Sequence, residues 1–203
     1  RLFGDVRGRH IADLCAAPGG KTAQLVAAGA HVVAVEQSAN RIARLKENLA
    51  RLKLQADLVQ GDLFAFKPAE PLDGVLLDAP CSSTGTTRRH PDVLWTKGPA
   101  DIAKLAALQA KMLRHAVSLV KPGGLIVFSN CSLDPLEGEQ VVAELLAQDP
   151  GLERVPVSPS DWPGLEDAIS PLGEFRTTPA MLPASDGMTG GLDGFFASVL
   201  RRR

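Results

Sequence analysis

The sequence predicts an α/β fold with a mainly parallel sheet, and three observations carry that prediction. Short apolar runs rich in Val, Leu and Ile alternate with stretches in which apolar residues recur at helical spacing, the pattern of successive βαβ units. Gly-rich or acidic turn segments stand at the carboxyl ends of those runs. With 203 residues, 45% of them hydrophobic, the chain is long enough for one well-buried core and too short for two large domains. A single domain over residues 1–203 is expected.

Taken in order, residues 10–15 read as the first strand, running into a Gly-rich turn, and residues 21–28 as a helix. Residues 31–36 form a Val-rich second strand. Ile42, Leu45, Leu49 and Leu52 then mark one face of a second helix, while Arg41, Arg44, Lys46 and Arg51 read as its solvated side rather than a nucleic-acid site. Residues 56–60 and 75–78 are the third and fourth strands. A long helix carries Ile102, Leu105, Leu108, Met112 and Leu119 until Lys121-Pro122-Gly123-Gly124 stops it, and residues 125–129 form the fifth strand. Asp134 as N-cap, Pro135 at the first helical position and Glu137 at the third predict a helix running to about residue 147. Residues 155–193 are rich in Pro, Gly, Ser and Thr without a sustained period, and are expected to form a long loop of the kind that covers active sites. Strand character returns over residues 194–200 and completes the sheet edge.

Composition narrows the function classes. No apolar run is long enough to cross a bilayer and the first residues lack a signal-peptide pattern, so a soluble, cytoplasmic protein without membrane association is expected. Three cysteines without Cys-x-x-Cys spacing argue against a disulfide framework and against a zinc site, so no metal is expected. The net charge of −1 sits poorly with a nucleic-acid enzyme unless a local basic patch or a further RNA-binding part supplies phosphate contacts.

Ligands of open parallel sheets bind beyond the carboxyl ends of the strands, which directs attention to three segments. The first strand runs into Asp13-Leu14-Cys15-Ala16-Ala17-Pro18-Gly19-Gly20-Lys21-Thr22, where small residues let a ligand approach the backbone. The second ends in Glu36, whose carboxylate suits two ribose hydroxyls, and the third in Gly61-Asp62, placed to meet an adenine amino group. A glycine turn with an acidic residue about twenty positions on is a nucleoside-binding signature. A dinucleotide dehydrogenase fits less well, since Gly-x-Gly-x-x-Gly is absent and Pro18 removes an amide. Lys21 lacks the spacing of a phosphate loop.

Two thiols also fall at strand ends. Cys81 lies in Asp78-Ala79-Pro80-Cys81-Ser82-Ser83-Thr84-Gly85, just past the fourth strand, and Cys131 in Asn130-Cys131-Ser132, just past the fifth. Both are expected to open onto the cofactor crevice. The predicted helix near Pro135 places a positive helix end close to Cys131, which lowers a thiol pKa. Cys15, between Leu14 and Ala16, reads instead as a small buried hydrophobe.

The segments Asp13 to Thr22, Asp78 to Gly85, Asn130 to Leu133 followed by Pro135-x-Glu137-x-Glu139, and Asp193-Gly194-Phe195-Phe196 together resemble the motifs of the Sun/Fmu-type RNA cytosine-5 methyltransferases, most of all the bacterial enzymes of small-subunit (16S) ribosomal RNA. The resemblance spans nearly the whole chain. It implies a Rossmann-like S-adenosylmethionine-dependent methyltransferase fold with a mainly parallel seven-stranded sheet and helices on both faces. It implies Cys131 as nucleophile and Cys81 as the thiol of product release, with Asp78 and Lys21 in the catalytic group. S-adenosylmethionine contacts are implied at Ala16, Pro18, Gly19, Gly20, Lys21, Glu36, Arg41, Asp62 and Asp78, and the implied partner is RNA.

The chemistry is consistent with that resemblance. Carbon 5 of cytosine is a poor nucleophile until a thiolate adds to carbon 6, and a second thiol assists the later release. Two positions depart from the family pattern: Asn130 stands where Thr is usual, and Gly138 where Asn is usual. Family members also carry additional N-terminal sequence that helps bind RNA, and this chain begins almost at the first cofactor strand. That segment is expected to supply much of the phosphate contact, with Arg88, Arg89 and His90 either a local basic edge or an ordinary solvated loop, and Trp95 either a stacking platform or core. The residues alone leave open a same-fold methyltransferase acting on tRNA, an amine or a protein side chain, and a non-catalytic RNA or assembly module that keeps a cofactor pocket. The fourth strand lacks the Asn-Pro-Pro-aromatic segment of amino-group methylation.

Overall fold

The computed structural model describes residues 1–182 and 190–203. Among them the strands are β1 (His10–Asp13), β2 (His31–Glu36), β3 (Asp57–Gln60), β4 (Leu72–Asp78), β5 (Val120–Asn130), β6 (Leu152–Arg154), β7 (Phe175–Thr177) and β8 (Phe195–Arg202). The helices are α1 (Gly20–Ala27), α2 (Ala39–Arg51), the short α3 (Val93–Thr96), α4 (Pro99–Leu119) and α5 (Glu139–Gln148). Seven strands follow the hydrogen-bonded order β3-β2-β1-β4-β5-β8-β6, with β7 added beside β8, in a mostly parallel sheet with helices on both faces. No helix of the described residues is long and apolar enough to cross a membrane.

The described residues divide into two compact units, one of residues 1–78, 112–127 and 201–203, the other of residues 79–111 and 128–200. In the first unit β1 pairs in parallel with β2 and β4, and β2 with β3. The inner strands carry near-continuous buried apolar runs, Ile11-Ala12, Ala34-Val35 and Val75-Leu76-Leu77, as strands covered on both faces require. Ser38 caps α2 by accepting from the Arg41 amide, and Leu45 and Leu49 turn that helix onto Ala16, Ala17, Ala23 and Ala34. Gly19 adopts φ 103°, and a Cβ there would lie 2.3 Å from Leu45 Cδ1. The glycine turn and α2 are therefore shaped to each other.

In the second unit α5 buries Val141, Val142 and Leu145, and Phe128 meets Phe196 edge-on with ring centroids 6.2 Å apart. The segment read as an uninterrupted loop is more ordered than its composition suggests. It holds β7, which pairs antiparallel with β8 through Phe175, Arg176 and Thr177, and two single 3₁₀ turns at Pro159–Asp161 and Glu166–Ala168. Its residues 183–189 lie outside the described residues. The helix expected from Pro135 also differs: Pro135–Glu137 is one 3₁₀ turn, Gly138 breaks it at φ −124° and ψ −92°, and α5 starts at Glu139.

Leu45→Ala should lower the unfolding free energy by about 3 kcal/mol, and Gly19→Ala by about 2 kcal/mol through backbone strain and the collision with Leu45. Urea unfolding curves measure both.

Candidate active site

The first unit places the expected cofactor residues at or past the carboxyl ends of β1, β2, β3 and β4. The turn after β1 presents Ala16, Pro18, Gly19 and Gly20 ahead of α1, and a Cβ at Gly20 would meet nothing within 4 Å, so the backbone there is open to a ligand. Glu36, buried at the end of β2, accepts from the Ser38 amide through Oε1 at 2.9 Å. Its Oε2 is buried without a hydrogen-bond partner, although Arg41 Nη1 lies 3.3 Å away. Arg41 also donates to the Ala17 carbonyl at 2.6 Å, tying α2 to the glycine turn. Asp62 is exposed and accepts from the Phe64 amide at 3.0 Å. Lys21 Nζ donates to Asp78 Oδ2 at 2.6 Å. A cavity of about 780 Å³ lined by His31, Lys46, Lys53 and Asp57 lies elsewhere in this unit and holds none of these groups.

The charges of this turn act on two further groups. Asp13 is buried, receives the Thr22 hydroxyl at 2.7 Å on Oδ2 and leaves Oδ1 unpartnered. Burial, opposed by the Thr22 bond and reinforced by the negative Asp78, pushes its carboxyl up to about 6. Burial, then Asp13, Glu36 and Asp78, push the Cys15 thiol up to about 12, so it stays protonated, in keeping with an inert role.

The second unit holds both other thiols in one place. Cys81 Sγ and Cys131 Sγ are 3.4 Å apart, and the Ser83 hydroxyl lies 3.5 Å from Cys131 Sγ and 3.9 Å from Cys81 Sγ. Ser83 takes the left-handed conformation, φ 61°, uncommon for a residue with a Cβ and frequent where a site over-determines the backbone. The hydrogen bond shared with Cys131, then burial, hold the Cys81 thiol above the ordinary thiol range. Cys81 is thus kept as a thiol beside its neighbour. The anticipated helix end at Cys131 is absent, because only a 3₁₀ turn follows it.

The two thiol-bearing loops interlock. The Ala79 amide donates to the Ser129 carbonyl and the Gly85 amide to the Cys131 carbonyl, both at 2.8 Å. The Leu133 amide donates to Thr84 Oγ1 at 2.9 Å, and the Ser82 and Ser132 hydroxyls are 3.2 Å apart. Gly194 donates its amide to the Gly85 carbonyl at 2.7 Å, and a Cβ on Gly85 would lie 2.1 Å from the Gly194 carbonyl oxygen. That contact explains Gly85, while a Cβ on Gly194 would lie 2.4 Å from Leu133 Cδ2, which explains the Gly of Asp193-Gly194-Phe195-Phe196.

The roles of three residues of this unit escaped the sequence reading, which places Glu137 only at a helix start and in a motif. Arg176 on β7 grips both Glu139 oxygens at 3.0 and 2.7 Å, donates to the Ser132 carbonyl and stacks 4.8 Å above the Phe196 ring. Gln109 on α4 and Glu137 are buried and bonded to each other. No motif spacing marks Arg176 or Gln109, and Glu137 looks in sequence like an ordinary acid of a helix start. The two family departures have local accounts. Asn130 donates to the Glu137 carbonyl and accepts from the Ser132 amide, and Gly138 leaves room for Arg176 Nη2, which a Cβ would approach to 2.8 Å.

The basic edge is half neutralised: Arg89 forms a two-pronged pair with Asp193, and Arg88 Nη2 lies 3.8 Å from the same carboxylate. Trp95 is 90% exposed and so is not core.

A family model described as "16S rRNA methyltransferase RsmB/F" matches residues 4–201. The ribosomal RNA small subunit methyltransferase B of Klebsiella pneumoniae is 44% identical over 171 residues, covering 79% of this chain and 40% of the relative. That of Yersinia pseudotuberculosis is 41% identical over 175 residues, covering 84% and 41%. The chain thus spans about two fifths of the length of these curated relatives. Among solved structures, NSun6 from Pyrococcus horikoshii with SFG, an S-adenosylmethionine analogue, superposes with TM-score 0.75 at 27% identity, covering 96% of this chain and 48% of that one. A methyltransferase homologue from the same organism gives TM-score 0.77 at 28% identity, covering 99% and 64%.

The raised Asp13 pKa has a stability consequence. Its protonated form is favoured in the folded state, so this stabilisation is present below about pH 4, the unfolded value, and is lost as pH rises through about 6. Relative to Asp13→Asn, the wild type should lose on the order of 3 kcal/mol between pH about 4 and about 7, read from denaturant unfolding at both ends of that window.

Proposed function

Since the chain belongs to the RsmB/F family of 16S rRNA methyltransferases, we propose that residues 1–203 are the catalytic domain of an S-adenosylmethionine-dependent cytosine-5 methyltransferase of ribosomal RNA, working in the cytoplasm. The observation that carries this reading is the approach of the Cys81 and Cys131 sulfurs to 3.4 Å. Both thiols are half-buried, packed against each other yet not sealed from solvent.

The cofactor supplies an electrophilic methyl group. Glu36 Oε2, which no hydrogen bond satisfies, fits a ribose hydroxyl, and the exposed Pro18 and the open backbone at Gly20 fit a ligand lying close along the turn that also holds Ala16 and Gly19. Asp62 is assigned to the adenine edge. Arg41 holds the turn and Glu36 in place, and Lys21 orients Asp78.

On the substrate, the Cys131 thiolate adds to carbon 6 of cytosine, which makes carbon 5 enamine-like and able to take a methyl group. Asp78 holds the amino and ring-nitrogen edge of the base and supports protonation of the ring. Once carbon 5 carries the methyl group, its proton passes to a water molecule, the electron pair of that C–H bond forms the carbon 5–carbon 6 double bond, the bond from carbon 6 to sulfur breaks with its pair returning to Cys131, and the ring proton returns to Asp78. Cys81, held as a thiol at 3.4 Å, donates a proton to the departing sulfur. A base inside a paired stem cannot reach such thiols, so the target nucleotide is unpaired or flipped out.

Cys131→Ala in the full-length protein should abolish both methylation and the covalent RNA adduct, whereas Cys81→Ala should lose turnover and accumulate the adduct. Labelled methyl transfer to RNA from a deficient strain and denaturing gels read the two outcomes. The reverse pattern would exchange the roles of the cysteines, and an active double variant would exclude thiol catalysis.

A further inference from the structure

The residues on either side of Cys81 are held by a buried pair that takes no part in the chemistry above. Gln109 Nε2 donates to the Pro80 carbonyl at 2.8 Å and to Glu137 Oε1 at 3.0 Å. The same Glu137 oxygen accepts from the Ser82 amide at 2.9 Å, and Oε2 accepts the Ser82 hydroxyl. Meanwhile the Glu137 backbone carbonyl accepts from Asn130 Nδ2, and Asn130 Oδ1 accepts from the Ser132 amide, one residue past Cys131. One residue therefore grips the Cys81 loop with its side chain and the Cys131 loop with its main chain. The other bonds between the loops engage Ala79, Ser82, Thr84 and Gly85. The Glu137 and Gln109 bonds, by contrast, act on the main chain directly flanking Cys81, at Pro80 and Ser82.

We infer that Glu137, seconded by Gln109, is a positioning residue that sets the separation of the two reacting sulfurs. It is fully buried, and a carboxylate is removed from water at high cost unless several donors meet it. Three donors do so here, each of them on, or bonded to, the main chain beside Cys81. The role of this brace in turnover rests on the thiol mechanism proposed above, so its test includes a readout independent of RNA.

That readout is oxidation by diamide, which takes two hydrogens from the thiols as the S–S bond between Cys81 and Cys131 forms, at a rate that follows their spacing. In the full-length protein, Glu137→Ala and the shape-preserving Gln109→Met should each slow formation of that disulfide about tenfold, measured by peptide mass spectrometry below the melting temperature. Both should lower kcat for RNA methylation by about 100-fold with little change in KM for the cofactor. Glu137→Gln, whose carbonyl oxygen still accepts from the Ser82 amide and Gln109 while its amino group donates to the Ser82 hydroxyl oxygen, should recover most of both losses. If Glu137→Ala does not fold, Gln109→Met decides. Disulfide formation at the wild-type rate in the alanine and methionine variants overturns the inference. Slowed disulfide formation combined with a methylating Cys131→Ala variant would instead leave the brace standing and remove the thiol mechanism.

Discussion

Two backbone hydrogen bonds join the loops that carry the sulfurs of the second unit. The Ala79 amide on the Ser129 carbonyl and the Gly85 amide on the Cys131 carbonyl hold the two loops beside each other, with Cys81 and Ser83 in the span between. A side chain at Gly85 would strike both the Gly194 and the Cys131 carbonyls, so this pinning demands glycine. The left-handed Ser83, the hydroxyl cluster of Ser82, Thr84 and Ser132, and the Glu137 brace are all arranged around that constraint. A sulfur contact at 3.4 Å is thus a product of main-chain geometry more than of the thiols themselves.

The three cysteines show how environment divides chemically identical groups. Cys15 sits against a turn rich in carboxylates, and burial together with Asp13, Glu36 and Asp78 keeps it protonated. Cys81 also stays a thiol, but first through the hydrogen bond it shares with another sulfur and only then through burial. The carboxylates around the glycine turn have their own counterions, Lys21 on Asp78 and Arg41 on Glu36, and these order the site before any ligand arrives.

Affinity for RNA is less evident. The arginines following Cys81 are bound to Asp193, which leaves them holding the Asp193-Gly194-Phe195-Phe196 segment in the second unit. The net charge of −1 offers no surplus of positive charge for phosphate contacts, and the curated relatives this chain matches are more than twice its length.

The sequence by itself determined the α/β class, most strand and helix positions, and the candidate residues at strand ends, because each follows from local periodicity or from turn chemistry within a few residues. Glu36, Asp78, Cys81 and Cys131 were legible for that reason. Residues whose work is done across the chain were not legible: Gln109 and Glu137 meet 28 positions apart, and Arg176 reaches Glu139 across 37. The same holds for the turn after Asp134, where a complete set of helix-start signals is cut short by Gly138, whose missing side chain makes room for Arg176. Only the tertiary structure decided which polar groups are buried together, since a hydrogen bond between distant segments leaves no period in the chain and exists only once both loops are in place.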